Sequence, residues 1–393
     1  MLYEEIERYV DAHKDEAVSF LTDFLRIPSP TGKEKAAALF VRDKLASEGF
    51  DVSLPALDPE RPNVLCDWKG APGRTLLFNG HLDVFPPEGS PKRAPWAGSL
   101  ENGRLYARGA TDMKSGDAAG ILAMVFLKRM GFEPKGMLSL GLNCDEESGS
   151  KNGILYCISK GLMKADFTIC MEASENTIIT ETDARVAWKV TFCAEGWHAG
   201  TRLDKTDALE MAVGACQAVR AYDQKLRKER YFEDSGSGAM VSVTSLDAGG
   251  RGRTVNMHPA LCEMWIDRRI TNGETEPGAK AELEALLNAV PGLAGHFSIE
   301  TLYVGAKMQL DAGDPDIQGC MRAYEEVFKK PITPGRRCAG SDGAKLFEAY
   351  GRPVPQLGPG VFSVLGTDDE YVETSEFLGF IKVYMLFASR FLA

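Results

Sequence analysis

The chain has few histidines and lacks the closely spaced cysteine pairs of zinc fingers. It has five histidines and nine cysteines among 393 residues, and no Cys-x-x-Cys pair occurs. An odd number of scattered cysteines is typical of reduced, buried thiols rather than of disulfides or zinc fingers. We therefore expect a cytoplasmic protein.

Basic blocks and long apolar runs are missing too. The formal net charge is −11, and no basic cluster compensates it, which argues against nucleic acid and against an anionic membrane surface as partners. The first residues, 1–7, are acidic and amphipathic, so no signal peptide is expected. The longest apolar stretches, 118–127 and 377–392, are too short or carry charges, so we expect no membrane span.

The periodicity of apolar residues changes along the chain. Up to about residue 175, helical patterns alternate with short apolar runs, which predicts a mostly parallel sheet flanked by helices. From about 180 to 306 the order becomes strand, helix, strand, strand, helix, strand, which is typical of a small ferredoxin-like α+β domain. We predict an α/β protein with a catalytic domain in two parts, 1–179 and 307–393, and an inserted lid or dimerisation domain, 180–306.

Three consecutive carboxylates, Asp145-Glu146-Glu147, follow the apolar run 137–144. A strand that ends on three acids must provide them with a cation or a proton. His81 and Asp83 follow another apolar run in the same way. In a parallel sheet the carboxyl ends of the strands share one crevice, so we expect one cleft to collect the following side chains: His81, Asp112, Glu146, Glu147 and Glu172.

Such a set is suited to divalent metal ions. His81 and Asp83 are two residues apart and would share one face of an extended segment, as a metal-bound imidazole and the carboxylate that holds its far nitrogen would. Asp112 could bridge two ions, which in two-metal hydrolytic sites lie about 3.5–4 Å apart. Taken singly, each residue has an ordinary structural alternative; the combination favours a metal site.

These motifs, with Ser29–Glu34, Gly109–Gly116 and Ser148-Gly149, resemble those of the acetylornithine deacetylase, succinyl-diaminopimelate desuccinylase and aminoacylase family, in order and over nearly the whole chain. The resemblance implies a zinc amidohydrolase with one or two Zn²⁺ per chain, Mn²⁺ or Co²⁺ being possible, and a homodimer formed through the lid. By position, His81 and Glu172 resemble the ligands of one metal, Asp112 the bridge and Glu147 a ligand of the second metal. Glu146 resembles the general acid/base.

The resemblance continues more weakly in the lid. His198, in Gly196-Trp197-His198-Ala199, resembles the histidine that reaches a neighbouring subunit's active site and polarises the scissile carbonyl. Asn256 and Arg268 resemble the residues that hold a substrate carboxylate. The alternatives are a histidine paired inside the lid for His198 and a surface salt bridge for Arg268. Gly340–Gly343 resembles a family turn beside the cleft.

The chain departs from the family pattern at Gly366. The family usually has a histidine four residues before a glutamate there, and it completes the second metal site; here the segment is Leu365-Gly366-Thr367-Asp368-Asp369-Glu370. Three outcomes are open: Asp368 or Asp369 replaces the histidine, water fills the gap, or the second site stays weak or empty.

The expected function is hydrolysis of an amide bond in an N-acyl amino acid or a short peptide with a free carboxylate. A metal-activated water would attack while Glu146 takes its proton. One alternative is a non-hydrolytic relative that binds peptides or acyl amino acids, because Gly366 removes a ligand. A two-metal aminopeptidase is the other, and the lid pattern speaks against it.

Overall fold

A computed structural model of the chain describes residues 1–87, 89, 91–201, 205–232, 237–249 and 254–393. They form two compact units. Unit 1 comprises Met1–Thr180, Leu310–Gly335 and Ser341–Ala393, and unit 2 comprises Glu181–Gln309 and Arg336–Gly340. The domain limits drawn from the sequence alone stay a prediction.

The helices are numbered in chain order. Their bounds are α1 (Tyr3–Ala12), α2 (Lys14–Leu25), α3 (Lys35–Ser47), α4 (Lys114–Arg129), α5 (Ile154–Ser159), α6 (Ala208–Glu229), α7 (Glu276–Asn288), α8 (Pro315–Phe328), α9 (Asp342–Tyr350) and α10 (Thr374–Phe391).

The strands are numbered in the same way. Their bounds are β1 (Val52–Ser53), β2 (Val64–Lys69), β3 (Ala71–His81), β4 (Ser99–Glu101), β5 (Arg104–Tyr106), β6 (Lys135–Asn143), β7 (Phe167–Cys170), β8 (Thr177–Thr182), β9 (Ala184–Cys193), β10 (Trp197–His198), β11 (Tyr231–Phe232), β12 (Ser237–Gly238), β13 (Met240–Asp247), β14 (Met257–His258), β15 (Leu261–Ile270), β16 (Phe297–Val304), β17 (Met308–Gln309), β18 (Thr333–Arg337) and β19 (Tyr371–Glu373).

The main sheet of unit 1 has the strand order β1-β2-β6-β3-β7. Strands β6, β3 and β7 are parallel, as predicted, whereas β2 is antiparallel to β6. A parallel neighbour needs a crossover of a dozen or more residues, and only Gly70 separates β2 from β3. The chain therefore reverses there, and β6 lies between the two.

Helix α4 makes the centre of unit 1 apolar. Every residue from Lys114 to Leu127 is buried, because the helix packs against α10, α2 and the sheet. The small residues Gly116 and Gly120 allow this: a Cβ on Gly116 would lie 2.1 Å from the Met171 carbonyl oxygen. This close packing fixes the first turn of α4, and with it Asp112, beside the strand ends.

Unit 2 has its own sheet and its own hydrophobic core. Four antiparallel strands in the order β13-β15-β9-β16 pack against α6 and α7. Asp207 begins α6 by accepting hydrogen bonds from the Leu209 and Glu210 backbone N–H groups, and Thr275 begins α7 in the same way. The predicted α/β class with an inserted ferredoxin-like domain is confirmed by this topology. No helix within the described ranges is long and apolar enough to cross a membrane.

Candidate metal centre

The carboxyl ends of the three parallel strands of unit 1 lie at the same edge of the sheet. His81 is the last residue of β3 and pairs in register with Asn143, the last residue of β6. On the other side Asn79 pairs with Cys170, the last residue of β7. The same register, continued by two residues, brings Glu172 opposite His81. The strand pairing alone therefore assembles two of the predicted ligands.

The His81 ring is oriented by its own chain. Nδ1 lies 2.8 Å from the backbone carbonyl oxygen of Asp83, and a carbonyl only accepts, so Nδ1 carries the proton. In the neutral ring Nε2 then presents a lone pair. It faces Asp112 Oδ1 at 3.1 Å and Glu172 Oε1 at 3.5 Å. A lone pair and two carboxylates that meet in a buried place require a cation or an extra proton between them.

The role expected for the Asp83 carboxylate needs correction. Its Oδ1 is 3.8 Å from Nδ1 of His81, beyond hydrogen-bonding distance. The Asp83 carboxylate instead accepts hydrogen bonds from the backbone N–H groups of Glu146 (3.0 Å) and Glu147 (3.2 Å) and from the Thr31 hydroxyl (2.9 Å). Asp83 therefore holds the ring through its backbone and holds the acidic turn through its side chain, because extended geometry aims the carbonyl rather than the carboxylate at the imidazole.

The donor set fits a divalent ion. Ligand atoms of His81, Asp112 and Glu147 lie within 4.8 Å of one another, and these three residues are the one such group within the described part of the chain. One oxygen of the Glu147 carboxylate is buried and has no hydrogen-bond partner. Burial and the nearby Asp112 raise the pKa of Glu147 to about 11, so without a cation the group would hold a proton. One imidazole with several carboxylates suits zinc, manganese or cobalt.

The first acid of the sequence cluster points elsewhere. Asp145 adopts the left-handed conformation (φ 70°), and its carboxylate accepts hydrogen bonds from Arg61 at 2.8 Å and from Asn152. Only Glu146 and Glu147 remain for the cleft. The sequence could not distinguish the three, because Arg61 is 84 residues away.

A lysine that no sequence motif indicated lies beside Glu146. Lys345 Nζ is 3.9 Å from Glu146 Oε1, 3.1 Å from Asp342 Oδ1 and 2.6 Å from the Ser150 hydroxyl. Burial raises the pKa of Glu146 to about 8, and the Lys345 charge opposes that shift. Asp342 belongs to the turn noticed in the sequence, whereas the place of Lys345 near the start of α9 gave no signal of its own.

Glu370 is a second residue that the motifs did not assign. It is buried and accepts hydrogen bonds from the Thr111 (3.0 Å) and Asp112 (3.1 Å) backbone N–H groups, and its other oxygen lies 3.3 Å from Arg108. It thus fixes the backbone that carries Asp112. The family pattern of a histidine followed four residues later by a glutamate pointed to this position.

The three predicted lid residues all belong to unit 2. The His198 ring lies 2.9 Å from the Asn256 amide nitrogen, and its Nδ1 accepts a hydrogen bond from the Gly200 backbone N–H. Arg268 is fully buried and bonds Glu274 and the Arg269 carbonyl. The structure brings His198 and Asn256 together, but a substrate carboxylate at Arg268 would have to compete with Glu274.

Comparison with known proteins decides the family. The model of peptidase family M20/M25/M40 matches residues 77–390. A succinyl-diaminopimelate desuccinylase of Cereibacter sphaeroides is 38% identical over 385 residues, which cover 94% of this chain and 97% of that protein. The chain belongs to peptidase family M20/M25/M40.

Solved structures show the family fold. A metallo-carboxypeptidase of family M20 from Sulfolobus solfataricus superposes with a TM-score of 0.74 at 18% identity, covering 96% of this chain and 99% of that one. A dinuclear metal-binding M20 peptidase from Bacillus subtilis superposes with a TM-score of 0.73 at 15% identity, covering 97% and 99%.

Membership of family M20 settles the class of the protein. It is a metal-dependent hydrolase that acts on amide bonds. The non-hydrolytic alternative is accordingly not favoured. The family does not decide which metal is bound or which residues hold it.

Proposed function

We propose that the chain hydrolyses the amide bond of an N-acyl amino acid or a short peptide with a free carboxylate, with Zn²⁺ as its natural metal. The observation that carries the proposal is the meeting of the His81 lone pair with Asp112 and Glu172 beside a buried, partnerless oxygen of Glu147. In this proposal those four side chains hold the metal. Mn²⁺ or Co²⁺ could replace zinc, since most of the donors are oxygen.

When bound, the metal would lower the pKa of a water molecule from 15.7 towards about 7. Glu146, next to the ligand Glu147, takes the proton of that water and later passes it to the leaving nitrogen. A positive charge from Lys345 at 3.9 Å favours the ionised form that a base needs. Asp83 keeps the Glu146–Glu147 turn in place through two backbone hydrogen bonds. His198 would supply positive charge to the developing oxyanion.

The substrate class is supported by the relatives rather than by a clamp in the structure. The matched Cereibacter sphaeroides protein is a desuccinylase of succinyl-diaminopimelate. We propose N-succinyl and N-acetyl amino acids as the first candidates, with Asn256 and Arg268 as the residues that would hold the substrate carboxylate. Arg268 must then exchange Glu274 for the substrate.

A substrate panel tests the proposal. Chelator-treated protein is reloaded with Zn²⁺, Mn²⁺ or Co²⁺ and assayed against N-succinyl, N-acetyl and dipeptide series, each with a matched substrate whose free carboxylate is amidated. We expect metal-dependent release of the amine and loss of turnover on the amidated substrates. Turnover that persists in metal-free protein would contradict the mechanism, and equal rates on the amidated substrates would contradict the substrate class.

We further propose that residues 1–179 and 307–393 form the catalytic domain and that 180–306 form a lid through which two cytoplasmic chains dimerise. Edge strand β16 supports this, because it exposes Leu302 and Val304. Nine free cysteines suit a reducing compartment. Sedimentation should give a dimer, and a monomer at all concentrations would contradict both the lid interface and a reach of His198 into a neighbouring subunit.

A further inference from the structure

The structure distinguishes between the three outcomes that the sequence left open for the second metal site at Gly366. The number of metal ions per chain depends on whether any side chain near Gly366 supplies the ligand that the family histidine would give. The question rests on the metal site proposed above and goes beyond it, because that proposal does not fix the number of ions.

Gly366 itself cannot be restored as a ligand position without strain. Its φ is +71°, in the left-handed region that side-chain-bearing residues rarely adopt. A Cβ at this position would lie 3.7 Å from Phe85 Cδ2 and 3.9 Å from Arg108 Nη1. A side chain would therefore start beside an aromatic ring and a guanidinium, and the positive charge of the guanidinium disfavours a second cation there.

The two aspartates that could replace the histidine are engaged with another loop. Asp368 accepts a hydrogen bond from the Lys92 backbone N–H at 3.1 Å, and Asp369 accepts one from Arg93 Nε at 3.1 Å. The Asp369 side chain is 60% exposed. Neither belongs to the one metal-competent group within the described ranges. Glu370 is occupied as well, by two backbone N–H groups and Arg108.

The remaining ligands converge on one point instead of two. The donor atoms of His81, Asp112 and Glu147 lie within 4.8 Å of one another. Two ligands at about 2.0–2.2 Å from one ion are at most roughly 4.4 Å apart, so these three reach a common ion after shifts of a few tenths of an ångström. Glu172 Oε1, 3.5 Å from His81 Nε2, lies beside the same place, and catalytic zinc sites keep a position open for water.

We propose that this chain binds one catalytic divalent ion, held by His81, Asp112 and Glu147 together with Glu172 beside His81, rather than the pair held by the dinuclear M20 neighbour. Glu147, which the sequence resemblance assigned to a second metal, becomes a ligand of the first. The glycine at position 366 then lowers the number of bound metal ions and leaves the acid/base group Glu146 in place.

Counting the ions tests the proposal. Metal-free full-length protein is titrated with Zn²⁺ by calorimetry, and bound metal is measured by elemental analysis after gel filtration. We expect one equivalent per chain, and with Mn²⁺ at saturation the six-line resonance of isolated ions. Two tight equivalents, or the exchange-coupled spectrum of a manganese pair, would overturn the single-ion proposal and leave the proposed hydrolysis intact. No binding at all would overturn the metal site together with it.

Two variants test which residues bind the ion. Glu147→Gln should weaken Zn²⁺ binding by more than the roughly 10–100-fold caused by loss of an outer hydrogen-bond partner of a ligand, because Glu147 shares the single ion. The matched control Asp368→Asn/Asp369→Asn should keep the same stoichiometry and affinity. Unchanged affinity in Glu147→Gln, or lost metal in the control, would contradict the assignment.

Discussion

Both units bury charged side chains, but they stabilise them by different means. In unit 2 the buried Arg268 pairs with Glu274, and the buried Asp183 pairs with Arg336. In unit 1 the acids at the strand ends meet a single imidazole, and a buried oxygen of Glu147 has no partner. A buried charge is tolerated when it is paired, and an incomplete set costs several kcal/mol.

The difference teaches how to tell structural charges from functional ones. Each unit 2 pair joins opposite charges within the protein, so its charges need no ligand, although the buried Nε atoms of Arg268 and Arg336 have no hydrogen-bond partner. Although burial opposes it, hydrogen bonds from Thr271 and the charges of Arg268 and Arg230 lower the pKa of Glu274. In unit 1 burial raises the pKa of Glu146 and of Glu147, so a proton or a cation has to complete the set.

The largest expected effect is on catalysis in unit 1. Glu146→Gln removes the group proposed to move the proton, so kcat should fall by about 10²–10⁴. Metal stoichiometry and the unfolding temperature should not change, because Glu146 is not a proposed ligand. Glu348→Gln, an exposed residue of α9, is the matched control. Retained turnover in Glu146→Gln would refute the assignment of Glu146 as the base. It would also weaken the distinction between functional acids in unit 1 and structural charges in unit 2.

The buried pair of unit 2 should show the opposite pattern. Arg268→Met removes one of the two arginines that pair with Glu274 and leaves Arg230 in place, so we expect the free energy of unfolding to fall by about 1.5–3 kcal/mol, the range for a hydrogen bond to a charged group, with metal content unchanged. Urea unfolding of the full chain measures it, with Arg185→Met in the exposed pair to Asp267 as the control. If stability were unaffected while KM rose at least tenfold, Arg268 would be a substrate clamp, as the family resemblance implies.

Lys345 links a structural ion pair to the functional acid. Its charge lowers the pKa of Glu146, so Lys345→Met should raise that pKa. A base must be ionised, and the acid limb of kcat/KM should therefore move to higher pH. Lys345→Arg should restore the profile, and Lys160→Met, at an exposed position, should not change it. A shift to lower pH would contradict the proposed contact.

Much of this could be predicted from the sequence because periodicity and strand-end motifs are local signals. The run 75–79 and the following His81 predicted a strand, which β3 confirms, and the role of His81 as a ligand stays a prediction. Long-range contacts had no such signal: Arg61 binds the Asp145 carboxylate, and the backbone N–H groups of Glu146 and Glu147 bind the Asp83 carboxylate. The direction of β2 was also missed, since an apolar run does not encode whether its neighbour is parallel.

An ion pair with a partly exposed arginine gives the lower limit of the comparison: the Arg129 side chain is 31% exposed, whereas that of Arg268 is fully buried. Glu48 at the end of α3 pairs with Arg129 at 2.6 Å and with Lys44 at 2.9 Å. The Arg129 hydrogen bond, acting against burial, lowers the pKa of Glu48 to about 2. Because the folded pKa lies below the ordinary value of 4.5, the stabilisation is complete above about pH 4.5 and is lost as the pH falls towards 2.

Glu48→Gln should therefore lower the free energy of unfolding by only about 0.2–1 kcal/mol at pH 7. Its difference from the wild type should shrink below pH 4.5 and should weaken in high salt, because surface charges are screened. Urea unfolding at pH 7 and pH 3, with and without 1 M salt, measures both effects. A loss at pH 7 as large as that expected for Arg268→Met would mean that the exposure of the arginine does not distinguish the two kinds of pair.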